Sequence, residues 1–172
     1  MTFFGIVLGV VLLQRGGELF LASRNARHIR ARGGYEVGEE HYKYIVTLHL
    51  LFFVSLLLEV SLKEAPFALP AWWMYPFSLF LLAQFLRYWC MQSLGRHWNT
   101  RILILPGAQP VIRGPYRFLR HPNYLVVAVE LFSLPLSFSA FLTAITFSIL
   151  NAWLLLRIRI PLEEKSLYEP EK

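Results

Sequence analysis

The stretch YLVVAVELFSLPLSFSAFLTAITFSILNAWLLL, residues 124–156, decides how this chain folds. Its run of about 33 mostly apolar residues exceeds one ordinary membrane span, which needs about 20, and falls short of two spans joined by an ordinary loop. Pro135, Ser137 and Ser139 stand near its middle, where a tight reversal lets two short helices use the whole run. The expectation is a helical hairpin, with spans at about 124–136 and 140–156, closed by a turn whose backbone neighbouring protein must satisfy.

Working outward, three more apolar runs lie at about 2–22, 44–62 and 72–93. No basic segment precedes the first, so it reads as a retained helix rather than a cleaved signal peptide. Trp72, Trp73 and Tyr75 at one end of the third run, and Tyr88 and Trp89 near the other, fit interfacial aromatic belts. The composition agrees: of 172 residues, 56% are hydrophobic, 16% aromatic and only 16% charged, with a mean hydropathy of +0.46. Soluble enzymes, disordered chains and a separate Rossmann domain are excluded. The chain therefore reads as an all-α integral membrane protein, one domain over 1–172, with five crossings. Cys90 is the single cysteine, so no disulfide framework is available, and the five histidines show no paired metal-ligand spacing, so no metal is expected.

The net charge of +6 reads first as topology. Arg24, Arg27, Arg30, Arg32 and Lys43 lie between the first two runs, and Arg96, Arg101, Arg113, Arg117 and Arg120 between the third run and the hairpin. The connection at Lys63 has one basic residue, and the hairpin tip has none. By the positive-inside rule both arginine-rich loops and the tail are cytosolic, which puts the amino terminus outside a bacterial cell membrane. The cations are spaced among apolar residues rather than clustered as a lipid-binding polybasic tract; the expected partners are the lipid bilayer and a lipophilic small molecule, and nucleic acid is not expected.

The densest chemistry is Arg113-Gly-Pro-Tyr-Arg-Phe-Leu-Arg-His-Pro-Asn-Tyr124, which runs directly into the hairpin. Guanidinium, imidazole and phenol groups are held there by Gly114, Pro115 and Pro122 at a membrane boundary. Arg120-His-Pro-x-Tyr124, preceded by Gly114-Pro-Tyr116 and followed in the tail by Arg159-x-x-x-Glu163-Glu164, resembles the isoprenylcysteine carboxyl methyltransferase family, and Leu94-Gly-x-x-Trp98 fits as well. The resemblance implies a multi-spanning enzyme with a cytosolic pocket for S-adenosylmethionine and a lipophilic acceptor that arrives through the bilayer. The amino-terminal half, with Glu18-Leu, Asn25, Gly34 and His41-Tyr42, looks like a bacterial branch found beside type III polyketide synthases, whose implied acceptors are long-chain alkylpyrones. Two departures stand out: Val126 replaces a glycine usual in the prenylcysteine enzymes, and Pro161 interrupts the segment between Arg159 and Glu163. Pro161 either breaks the helical face those two residues share or begins a new short helix with Glu163 and Glu164 in its first turn.

A sulfonium donor with an amino-acid head and an adenine ring needs a cation for its carboxylate, acceptors for its ammonium, and aromatic walls. Tyr116, Arg120, His121, Tyr124, Glu163 and Glu164 supply those types and are the cofactor-binding candidates. Arg159 and Glu163 are the catalytic candidates, because a guanidinium can orient an anionic acceptor oxygen without deprotonating. Arg159, Glu130 and Arg87 are the substrate-binding candidates, since ionisable residues at membrane depth face cavities or partners. Arg15 and Glu18 are expected to pair on one helical face, and His49, Glu59 and Gln84 either line the acceptor's path or pair between helices.

Three other readings compete. The first is carboxyl methylation of a prenylcysteine-like substrate. The second is an NADPH-dependent membrane reductase, since sterol and steroid reductases also carry an Arg-His-Pro-Asn-Tyr segment; the tail here, ending Glu169-Pro-Glu-Lys172, offers few cations for a pyrophosphate. The third is a non-enzymatic membrane lipid-binding protein, in which the ordered motif is incidental.

Overall fold

The computed structural model describes residues 2–64 and 67–168, so Glu169 to Lys172 of the tail lie outside the described residues. Helix α1, Phe3–Arg30, is followed by strand β1, Tyr35–Val37, and helix α2, Glu39–Ser61. Helix α3, Met74–Leu94, leads through a 3-10 turn, Gly95–His97, to strand β2, Ile102–Ile104. A second 3-10 turn, Gly114–Arg117, precedes helix α4, Pro122–Leu136, and helix α5, Phe141–Leu154. A π-helical segment, Leu155–Arg159, joins α5 to helix α6, Ile160–Tyr168.

Every expected apolar run carries a helix. Phe3–Arg30, Glu39–Ser61 and the continuous stretch Phe141–Ser166 are long and apolar enough to cross a membrane. Helix α3 is interrupted chemically by Gln84 and Arg87, and α4, at 15 residues, is about 22 Å long. The outer surface is apolar: Leu13, Phe20, Leu82, Phe85, Leu142 and Ile149 are all exposed, as lipid-facing helices require and water-facing ones do not. Inside, Phe4, Val7 and Val11 of α1 meet Leu48, Phe52, Leu56 and Val60 of α2, each set spaced along one helical stripe, together with Phe80, Leu131, Leu134 and Phe147. The chain is thus an integral membrane protein of mostly helical structure.

Beside the helices, which agree with an all-α membrane protein, the chain carries one small sheet. β1 and β2 form a two-stranded antiparallel sheet with Tyr35 opposite Ile104 and Val37 opposite Ile102. Three-residue strands are too short to leave an alternation in the sequence; in the sheet Ile102 and Ile104 are buried. The sheet ties the carboxy-terminal ends of α1 and α3 together, and α6 packs against both strands.

The hairpin closes as expected. Ser139 takes a left-handed conformation, φ +55°, and the Ala140 amide donates 2.9 Å to the Pro135 carbonyl. α2 satisfies the rest of the reversal: Lys63 Nζ donates 2.5 Å to the Phe138 carbonyl, and the Glu59 carboxylate accepts from the amides of Leu142 (3.0 Å) and Thr143 (2.7 Å) at the start of α5. Glu59 is therefore a helix cap.

Candidate active site

The approach to the site is fixed by a close backbone contact. Gly114 has φ +57°, and a Cβ there would lie 2.0 Å from Ser93 Oγ and 3.0 Å from Trp89 Nε1, so the loop lies flat on the end of α3 only because glycine has no side chain. Pro115 buries itself beside it, and Tyr116 stands close to the Cys90 thiol. Burial above all, then the nearby Cys90 and Glu163, hold the Tyr116 hydroxyl far above the ordinary phenol range. It stays protonated at working pH and cannot act as a base.

His121 is the residue before the first turn of α4, and Pro122 occupies that turn's first position, where its lost amide has no intrahelical partner to miss. This turn sets the His121 and Tyr124 rings in a stack, centroids 5.4 Å apart and planes 18° from parallel. A slab of two rings thus stands at the mouth of the last two apolar helices.

The tail meets this slab from the other side. Instead of breaking at Pro161, the last helix passes through the π segment, with the Ile160 amide bonded to the Leu155 carbonyl, and Pro161 falls in the first turn of α6. Arg159 and Glu163, four residues apart, consequently face the same way. Arg159 is buried: its Nε donates 3.2 Å to the Tyr124 hydroxyl and another guanidinium nitrogen donates 2.6 Å to the Thr100 carbonyl. The Tyr124 hydroxyl in turn donates to Glu163. Glu164 lies 3.2 Å from His121 Nε2 and 3.6 Å from the Arg120 guanidinium. Leu162 seats α6 on Gly38, where φ is +68° and a Cβ would come within 2.2 Å of the leucine.

Tyr124, His121, Arg120, Arg159, Glu163 and Glu164 therefore converge, and Tyr116 stands beside them near Glu163 and Tyr124. Arg87 and Glu130 do not join them. They pair with each other: Arg87 Nε lies 2.8 Å from Glu130. Arg15 reaches Glu130 at 3.0 Å and Glu18 at 2.5 Å, Arg87 approaches Glu18 at 3.3 Å, and Gln84 donates 2.7 Å to Glu130. Two arginines and two glutamates make a neutral quartet binding α1, α3 and α4. The expected Arg15–Glu18 pair is part of it. A cavity of about 20 Å³, room for one water molecule, lies between Arg15 and Glu130 of this quartet, His49 and the rings of Phe52 and Phe80.

The structure adds participants that residue types did not signal. Thr100 contributes a main-chain carbonyl, and a carbonyl leaves no trace in a sequence. Its hydroxyl lies 3.1 Å from that of Tyr42, whose ring is covered by the Arg101 guanidinium at 4.1 Å. Glu36 on β1 receives Arg101 at 2.6 Å and Arg30 at 2.5 Å, so the amino-terminal half braces the carbonyl that holds Arg159.

Compared with known proteins, residues 76–169 match the model of the isoprenylcysteine carboxyl methyltransferase (ICMT) family, a range containing every candidate site residue. The uncharacterized protein YpbQ of Bacillus subtilis (strain 168) is 42% identical over 166 residues, covering 96% of this chain and 97% of the relative. An uncharacterized protein of Haemophilus influenzae is 24% identical over 168 residues, covering 97% and 96%. No solved structure matches the chain.

Proposed function

Because the chain belongs to the isoprenylcysteine carboxyl methyltransferase family, whose members use S-adenosylmethionine as methyl donor, we propose that it is a membrane O-methyltransferase acting on a long-chain alkylpyrone or a related lipophilic polyketide. The observation that carries the reading is the meeting of Arg159 and Glu163, from the tail, on the hydroxyl of Tyr124, from the first turn of α4. Two segments separated by the whole hairpin place cationic, anionic and aromatic groups at one point.

The residues present fit the donor by their chemistry. Arg120 is largely exposed and suits the donor's carboxylate, Glu163 and Glu164 can accept from its ammonium or ribose hydroxyls, and the stacked His121 and Tyr124 offer a flat wall to a purine. When bound, S-adenosylmethionine supplies an electrophilic methyl group on a sulfonium. The chain's part is to hold the acceptor oxygen in line and exclude water. Arg159, buried and fixed by the Thr100 carbonyl, is the group that orients an acceptor anion. Tyr116 is held protonated, which favours an acceptor that arrives already ionised, such as an enolic pyrone, over a phenol with a pKa near 10 that must lose a proton in the site.

The same reading gives five crossings, with the amino terminus outside and the tail in the cytosol. It is supported by the sheet, which gathers the arginine-rich ends of α1 and α3 on one side with α6. The test is turnover of alkylpyrones, prenylcysteines and alkylphenols by one preparation with labelled donor. Preference for a prenylcysteine moves the acceptor and keeps the methyltransferase; tight binding of reduced dinucleotide with no donor binding replaces the activity.

A further inference from the structure

Away from the candidate active site, α1 and α3 are joined by long side chains, Gln14 to Gln84 at 2.8 Å and Glu18 to Arg87 at 3.3 Å, and beyond these bridges a slot of about 510 Å³ opens between them. We propose that this slot binds the phosphate of an anionic phospholipid in the leaflet that holds the arginine-rich end of the bundle.

Two arginines and a histidine from two elements line it. Arg24 and His28 stand one turn apart on α1, and Arg96 comes from the 3-10 turn after α3. Among the described residues no acidic side chain lines the slot. Among them, too, neither Arg24 nor Arg96 makes an ion pair or a side-chain hydrogen bond, whereas Arg30 and Arg101 are both committed to Glu36. Asn25, at the base, is spent on the carbonyls of Gly95 (3.3 Å) and Trp98 (2.7 Å), which fixes the turn carrying Arg96. The result is a preformed cationic slot with uncompensated positive charge.

Its walls select a lipid over a soluble anion. Leu21, Met91 and Tyr88 share the lining with the arginines, and Phe20 and Phe85 lie exposed farther along the same two helices. A phosphate seated between Arg24 and Arg96 can send its acyl chains along that apolar surface, which a free phosphate cannot use. The proposal rests on the membrane placement and is independent of the methyl-transfer reading.

The test is native mass spectrometry of the full chain released from detergent carrying phosphatidylglycerol or phosphatidylcholine. The expected result is retention of phosphatidylglycerol about tenfold or more above phosphatidylcholine. Arg24→Gln with Arg96→Gln should abolish the preference, and Arg24→Lys with Arg96→Lys should keep most of it. Arg27, Arg30 and Arg32 remain in the double variant, so its topology signal persists. If the double variant fails to fold, Arg96→Gln alone, on an exposed turn, should cost on the order of fivefold. Equal retention of the two lipids, or full preference in a folded variant, overturns the proposal. Displacement of the lipid by millimolar glycerol phosphate identifies a soluble-anion site and overturns it as well.

Discussion

Arg159 Nε donates 3.2 Å to the hydroxyl of Tyr124, so a residue of the last helix is locked to the first turn of the hairpin. That hydroxyl also donates to Glu163, which makes it the hinge pin between a buried cation and an anion. Tyr124→Phe keeps the ring stacked on His121 and removes only this pin. A hydrogen bond to a charged group contributes about 1.5–3 kcal/mol, so donor affinity should fall about tenfold to a hundredfold, as read by equilibrium binding of labelled donor to folded protein. Affinity within twofold of wild type, with turnover lost, would assign Tyr124 to the acceptor instead.

Arg159→Lys keeps the charge but replaces a planar fork, which here spans the Tyr124 hydroxyl and the Thr100 carbonyl, by a single ammonium. It should lose most of kcat with a modest change in the donor KM. Glu163→Gln should do the reverse and mainly raise the donor KM. Steady-state kinetics with donor and acceptor varied separately distinguishes these outcomes, and the opposite split would exchange the two roles.

The helices were legible in the sequence because membrane spans announce themselves by length and apolarity, and the hairpin because Pro135, Ser137 and Ser139 interrupt a run that one span cannot use. Tyr124, His121 and Arg120 of the motif at 113–124 meet Arg159, Glu163 and Glu164 in space. Beyond the Arg15–Glu18 pair within one helix, what sequence could not supply was which groups pair between helices. Arg87 and Glu130 are ionisable groups at membrane depth, which suited a substrate path equally well, and only the fold shows that they satisfy each other. The ambiguity at Pro161 had the same source: a π segment lets the helix continue past it, and no residue type forecasts that turn.

The quartet of Arg15, Glu18, Arg87 and Glu130 makes a sharp stability prediction. Glu130→Ala leaves Arg87 buried without its principal partner and should destabilise the fold by about 3–5 kcal/mol. Removing the pair together, as Arg87→Met with Glu130→Leu, leaves the Arg15–Glu18 pair neutral and should recover most of that loss. Unfolding in detergent, followed by circular dichroism, checks both. A double variant no better than the single would mean that the two residues act independently.

Sidedness is checked with single cysteines, since the native Cys90 is buried and gives little background. Glu64→Cys, in the exposed connection after α2, should react with an impermeant maleimide added to intact cells. Lys165→Cys, exposed on α6, should react only after the membrane is opened. The reverse pattern would invert the topology and place the candidate site outside the cell.

Glu59 and Lys63, one turn apart at the end of α2, together hold a chain reversal that has no water to solvate it. The carboxylate accepts the first two free amides of α5 and the Thr143 hydroxyl, and the ammonium takes the Phe138 carbonyl. A carboxylate at a helix amino terminus contributes up to about 2 kcal/mol in partly buried sites. Glu59→Gln retains one oxygen but turns an NH2 group toward an amide donor, so it should cost about 1–2 kcal/mol, and Glu59→Ala, which strands every donor, should cost more. Because the reversal is at the far end of α4 from His121 and Tyr124, donor affinity of the folded variants should stay unchanged. Thermal unfolding in detergent, paired with donor binding below the transition, separates the two effects. A loss of donor affinity without loss of stability would show that the hairpin tip communicates with the site, and Glu59 would then be more than a cap.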